Sequence, residues 1–463
     1  MNLLDRGMSV LPAFRSLCED IRTGRLPAEV TGLGHIHKAV FTAALAHILS
    51  LKTVVLVADE AEANRLCQDL QALGLQARFL PARELSLRRV ESASREFEQM
   101  RLGTLAKMAA GDYDCVVACA DAASQYTLPP DLLRSRTLTL KEGVPLPVKD
   151  LSAALTVAGY ERCDQIEGPG QFAVRGGIID VYPADCPAPM RVELWGDAPD
   201  TIHFFDPLTQ RRTDQLKEIA IPPAAEIRYD DPTGLAEQIE RLAAGLRGKA
   251  AELQKQNLLA DADRLRGGSL PASLDKYIPL IYEKPATLLD YFDAPILVLE
   301  EPSAIREAQK ATAFRRSEEL TGLLEEGVIC PGLDVLYQTM DDLAIAAQKQ
   351  STLLCENFLR GMNEFKLKDL INAEAFAAPN WGGDLASLRE DLDPLVAQGY
   401  AVVLFAGTPK GAAALTREKL AALVPEGMSA EDFQAAQFDL LADALEKALD
   451  MDALMEILEG GAG

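Results

Sequence analysis

Residues 159–225 read GYERCDQIEGPGQFAVRGGIIDVYPADCPAPMRVELWGDAPDTIHFFDPLTQRRTDQLKEIAIPPAA. Short blocks of alternating apolar and polar residues are separated here by Gly and Pro, which predicts consecutive short strands joined by turns. The strands are expected at 160–166, 178–182, 190–195, 201–205 and 216–221. Successive side chains of a strand point to opposite faces. In 190–195 this sends Val192 and Leu194 one way and Arg191, Glu193 and Trp195 the other. A helix over 149–158 is expected to cover the apolar face, leaving an arginine and an indole side by side on the outer one. Arg175 lies just upstream, before Gly176-Gly177. An exposed aromatic beside arginines is the composition of a binding hot spot. The alternative is an indole packed on a neighbouring loop, with solvated arginines.

Working outward, residues 1–135 alternate strand and helix patterns, as a parallel sheet with helices on both faces requires. The run TVVLVA at 53–58 is continuously apolar, as expected of a strand buried on both faces. Further strands are expected at 76–80 and 115–118, and helices at 11–23, 39–49, 59–73 and 92–110. Ahead of residue 39 stands Thr31-Gly32-Leu33-Gly34-His35-Ile36-His37-Lys38-Ala39, between a strand and a helix, where a phosphate-binding loop belongs. A working loop needs GxxxxGK[ST]. After Gly32, His37 occupies the second glycine position and Ala39 the hydroxyl position; only Lys38 survives. The imidazole should block the phosphate nest, and magnesium loses a ligand. Downstream, a strand at 295–299 ends in Glu300-Glu301, the place of a decayed acidic pair that would hold magnesium in a motor enzyme. Two solvated acids at a strand end is the plainer reading. Hydrolysis of ATP is therefore not expected, and no metal or other cofactor is expected either. His35 and His37 without further ligands read as loop residues.

The phrases DQIEGPGQFAVRGGIIDVYP, RVELWGD and IHFFDPLTQR closely resemble the UvrB-homology module of the bacterial transcription-repair coupling factors (Mfd). The resemblance implies that the small domain binds the damage-sensing protein UvrA, with Arg175, Arg191 and Trp195 at the matching contact positions. UvrB carries a long aromatic hairpin near residues 80–101; this chain has only Phe97 there, which favours the coupling factors, since base stacking needs aromatic platforms. The resemblance covers about residues 1–423. Polymerase-interacting and motor domains are not visible in the chain, so translocation and contact with RNA polymerase are not expected of it.

The remaining features bound this picture. With 463 residues, two to four domains are expected. A formal net charge of -24 argues against a broad nucleic-acid surface, which needs clustered Lys and Arg, so DNA is expected only as an indirect or weak partner. The eight cysteines show no zinc spacing and read as buried reduced thiols. No run of eighteen apolar residues occurs, and a cytoplasmic protein is expected. Residues 233–265 predict a helix or helix pair, 303–327 a helix, and 384–398 another. STLLCEN (351–357) and 401–406 read as strands, and Trp381 as a loop anchor. Residues 429–458 predict an acidic helical segment, too weakly held by surface ion pairs to mask the arginines.

The expected architecture is multidomain α/β: a degenerate helicase-like parallel sheet, an inserted small mixed α+β domain and a further small α/β domain. The boundaries are 1–135 and 226–305 for the first domain, 136–225 for the UvrA-binding-like insertion, 306–424 for the further domain and 425–463 for the tail. The expected function is a UvrA-recruiting adaptor in nucleotide-excision repair without a motor of its own. The alternatives are a DNA-binding damage clamp or helicase module with residual nucleotide binding, and a structural relic.

Overall fold

The computed structural model describes residues 3–85, 87–88, 96–271, 273–358, 365–373, 375 and 385–398. The expected strand 401–406, Trp381 and the acidic segment 429–458 lie outside the described residues. The chain forms two units, residues 16–373 and a second made of 1–15 with 374–463. The second contributes the helices Leu3–Val10 and Leu385–Ala397.

Within residues 16–373 the strands in chain order are β1 (Ala28–Thr31), β2 (Thr53–Val57), β3 (Ala77–Leu80), β4 (Cys115–Cys119), β5 (Leu138–Lys141), β6 (Glu161–Arg162), β7 (Gln171–Arg175), β8 (Ile178–Val181), β9 (Met190–Trp195), β10 (Ala198–Phe205), β11 (Arg212–Leu216), β12 (Glu218–Ile221), β13 (Ile296–Glu300), β14 (Ser351–Glu356) and β15 (Asp369–Asn372). Seven of them make one parallel sheet in the order β15-β1-β14-β13-β2-β4-β3. Its central strands β13, β2 and β4 are buried at every position. This is why their sequences are unbroken apolar runs rather than alternating ones. The helices His35–Leu49 and Glu60–Ala72 follow β1 and β2, and Asp59 caps the second by accepting from the Glu62 N–H at 2.8 Å. The expected helical stretch at 233–265 is a pair, Pro232–Gly245 and Ala251–Arg266.

The sheet corrects one boundary. β14 and β15, expected in a separate domain over 306–424, lie in the main sheet, β14 between β1 and β13. β14 is buried over Thr352–Glu356, the exposure of an interior strand. Its partners lie far away in sequence, across the long helix Pro302–Glu325 on one side and most of the chain on the other.

The small domain enters between β4 and β13. Strands β11-β10-β9-β8-β7-β6 form its main sheet, antiparallel except for β6 beside β7, and β5 pairs with β12 in a second ladder. The helix Val148–Val157 sends Leu151 and Leu155 into a core with Phe172, Ile179, Val181, Met190, Val192 and Ile202. Two strand expectations need correcting. The segment 160–166 yields only the two residues of β6, and the longer strand is β7, beyond the turn at Gly170 (φ 82°). The segment 216–221 is divided at Lys217, whose carbonyl accepts from the Glu142 N–H at 3.0 Å. The chain there leaves the main sheet for the β5–β12 ladder that brings the domain's two ends together.

Candidate functional site

Opposite residues on antiparallel strands share a face, so the register defines both surfaces of the small sheet. Phe172-Val181-Met190 and Val174-Ile179-Val192 make apolar rows. On the other face run Ala173-Asp180-Arg191-His203 and Arg175-Ile178-Glu193-Thr201, with Trp195 two residues beyond Glu193. Arg175, Arg191 and Trp195 therefore share one face. The turns Gly176-Gly177 and Gly196-Asp197 join β7 to β8 and β9 to β10 at the same end of the sheet. Gly176 (φ 62°) and Gly196 (φ 64°) take the positive φ that a two-residue hairpin turn needs at its first position. Arg175 and Trp195 flank these turns, separated by the single strand β8, or about 10 Å.

Their environments differ. Trp195 is 85% exposed and Arg175 is exposed, its Nη2 donating to the Asp164 carbonyl at 2.7 Å. Arg191 is held: Nε and Nη2 donate to the two carboxylate oxygens of Asp180 at 2.6 and 2.8 Å, and Nη2 also reaches Gln210 Oε1 at 2.8 Å. Its guanidinium lies 4.5 Å from the Phe205 ring centroid. Only 15% of the Arg191 side chain and 6% of that of Asp180 meet solvent. The hydrogen bonds to Asp180 raise the Arg191 pKa further. Next to it His203 is buried, with neither ring nitrogen hydrogen-bonded, and burial pushes its pKa down. Glu193 accepts from Arg212 at 2.5 Å. The face thus consists of a fixed charged lattice with a flat aromatic and an exposed arginine at its turn end.

The stretch read as a failed phosphate loop has a different geometry from a loop. Gly32 (φ 81°) donates to the Asn357 carbonyl at 3.1 Å, and the helix begins at His35, with Gly34 as its N-cap. His37 thus lies in the first helical turn, and its Nδ1 accepts from the Gly34 N–H at 3.1 Å. Ala39 is buried at 0% exposure inside the helix. Lys38 is buried and its Nζ lies 2.5 Å from Glu301 Oε1, an oxygen that also accepts from the Asn357 N–H at 2.9 Å. Glu301 adopts φ 50°, a left-handed conformation rare outside glycine. Glu300 is fully buried, and burial pushes its carboxyl up to about 8, with Lys38 opposing and Glu62 and Glu301 adding to the rise. The surviving lysine is thus neutralised from within the chain. The expectation of two solvated acids fails for Glu300, which is buried as the last residue of a central strand.

Residues 138–227 match the family described as the UvrB interaction domain. Over 408 residues the chain is 30% identical to the transcription-repair-coupling factor of Bacillus subtilis, taking in 86% of this chain and 34% of that protein. The chain is a homologue of the transcription-repair-coupling factors. Others of the kind are those of Staphylococcus epidermidis, 24% identical over 71% of this chain and 28% of its own length, and of Myxococcus xanthus, 27% over 69% and 28%. The chain spans about a third of the length of the curated relatives it matches.

The match begins with β5 and runs six residues past the end of β12, so it takes in the whole inserted domain. Strand parity placed Trp195 and Arg191 on one face, but the exposed patch holds Trp195 and Arg175, with Arg191 largely covered beneath. Of the residues that cover it, Asp180 and Phe205 lie on strands and Gln210 in the loop after β10, and none carries a sequence signal that marks it as a partner of Arg191. Six of the eight cysteines are buried, while Cys163 and Cys186 are half-buried. Among the described residues no helix is long and apolar enough to cross a membrane.

Proposed function

We propose that the chain is a UvrA-recruiting adaptor of transcription-coupled repair, and that it does not turn over ATP. The observation that carries the first part is Trp195, 85% exposed at the turn end of a rigid charged face in the UvrB interaction domain. A large flat side chain left in water beside an arginine is the raw material of a hot spot. The second part is supported by the Lys38–Glu301 pair and by the His37–Gly34 bond, which occupy the ammonium and an amide that a phosphate would need.

The test is direct binding of purified UvrA to the chain and its variants. Trp195→Ala and Arg175→Ala should each weaken the complex by about 10- to 100-fold, with the circular dichroism spectrum and melting temperature unchanged. Arg191→Ala should behave differently. It strands Asp180, and breaking a largely buried pair costs about 3 kcal/mol, so its loss should appear in stability before it appears in affinity. Wild-type affinity in a Trp195→Ala, Arg175→Ala double variant would remove this face as the UvrA site. For the second part, calorimetric titration with Mg-ATP should show no heat of binding; turnover that vanishes in Lys38→Ala would overturn it.

A further inference from the structure

Beside the Lys38–Glu301 pair lies a set of side chains that the adaptor reading does not use, at the place where the nucleotide site was lost. His35 opens the helix after β1, Glu62 stands in the first turn of the helix after β2, and Glu300 ends β13. One ligand atom of each lies within 4.8 Å of the others. The topology brings them together: β2 and β13 are neighbours in the parallel sheet, and all three residues sit at its carboxyl end, where α/β sheets bind their ligands.

Glu300 is the telling member. It has 0% exposure, and neither carboxylate oxygen finds a hydrogen-bond partner. A buried carboxylate without donors is strongly disfavoured unless a proton or a cation joins it. The ammonium at hand, Lys38, already sits on Glu301. With Glu62, Glu300 and Glu301 ionised, three carboxylates face one ammonium, an excess of two negative charges. Asp69 Oδ2 is 3.0 Å from His35 Nε2, the kind of carboxylate contact that orients a metal-bound imidazole.

We propose that His35, Glu62 and Glu300 bind one divalent transition-metal ion. An imidazole with two carboxylates suits Mn²⁺ or Zn²⁺ rather than Mg²⁺ or Ca²⁺, which take oxygen ligands almost exclusively. The ion balances the two excess charges and ties together the ends of β1, β2 and β13. The site belongs to the main sheet and is independent of the UvrA-binding face.

Mn²⁺ is the probe, because it discriminates against the cysteines that Zn²⁺ would also take. The full chain, stripped with EDTA, is titrated with MnCl₂ while free Mn²⁺ is followed by electron paramagnetic resonance. One tight equivalent per chain is expected, with a raised melting temperature. Glu300→Gln and His35→Ala should each weaken that equivalent by at least about tenfold. Glu300→Gln keeps the shape and removes the charge, so its metal-free melting temperature should equal or exceed that of wild type. His35 is half-exposed, so His35→Ala tests the site without disturbing the core. Failure of the wild-type chain to bind Mn²⁺, or an equivalent that both variants bind as tightly as wild type, overturns the proposal.

Discussion

Arg191 and Trp195 stand four residues apart on one strand and on one face, yet they do different work. The indole has water around it; the guanidinium has Asp180, Gln210 and Phe205. Alternation along β9 made the shared face legible in the sequence. The partner of Arg191 was not legible, because it sits on β8, and which residue of β8 lies opposite depends on a register that only the folded sheet fixes. His203 extends the same row and supplies a prediction. It is buried among Arg191, Arg212, Asp180 and Glu193, and burial holds its pKa below that of a free histidine. The unfolded chain therefore takes up a proton at a higher pH than the folded one. The stability this neutral ring confers is fully present above about pH 6.5 and is lost as the pH falls from there through the folded value. Urea midpoints at pH 7.5 and 5.5 should fall with pH in the wild type and fall less in His203→Gln. An equal fall in both would show that the ring does not titrate on unfolding.

At the scale of elements, continuous apolar runs were the most readable signal, since a strand buried on both faces needs them. β2, β4 and β13 could be located within a residue or two in this way. The stretch before residue 39 resembles a motif that needs a long loop, yet its loop spans only residues 32–34. Position 37, where the motif needs its second glycine, is a histidine, and nothing prevents the helix from starting at His35. Gly103 lies inside the helix Glu96–Ala110, where glycine costs about 1 kcal/mol relative to alanine. The reason is a contact: a β-carbon at residue 103 would stand 2.4 Å from the Ala184 carbonyl oxygen and 2.9 Å from its carbon. Ala184 belongs to the small domain, so this glycine lets helix and domain touch. Gly103→Ala gains the helical term of about 1 kcal/mol but forces a backbone to move. The net effect should be a lower melting temperature. A higher one would mean that propensity wins and the contact is slack.

At the scale of the whole molecule, the question is how far the small domain depends on the sheet into which it is inserted. Its two ends meet in one ladder, with Leu138 opposite Ile221 and Lys141 opposite Glu218. Its apolar cluster is built from residues between Leu138 and Ala224 and is distinct from the cluster of the main sheet. Tyr160 closes the exit by donating to the Pro222 carbonyl at 2.7 Å. Beyond that point the attachments are of another kind. Arg101 Nε meets Glu226 at 3.1 Å with both side chains buried, and Gln99 Nε2 donates to the Ala224 carbonyl at 2.9 Å. Burial alone would raise the Glu226 pKa, but the charges of Arg101 and Arg83 hold it below the usual value. Glu226 thus anchors the main sheet's side of the junction, not the small domain's core. Residues 136–225 cut out as a separate polypeptide should therefore fold cooperatively, since about 90 residues with their own core lie within the size range of independent domains. If the UvrA face is where we place it, the excised domain should bind UvrA within about tenfold of the full chain, or about 1.4 kcal/mol. A folded excised domain with no affinity would move the UvrA site elsewhere, whereas an excised domain that fails to fold would show that the contacts at Gly103 and Arg101 carry more of its stability than its own core does.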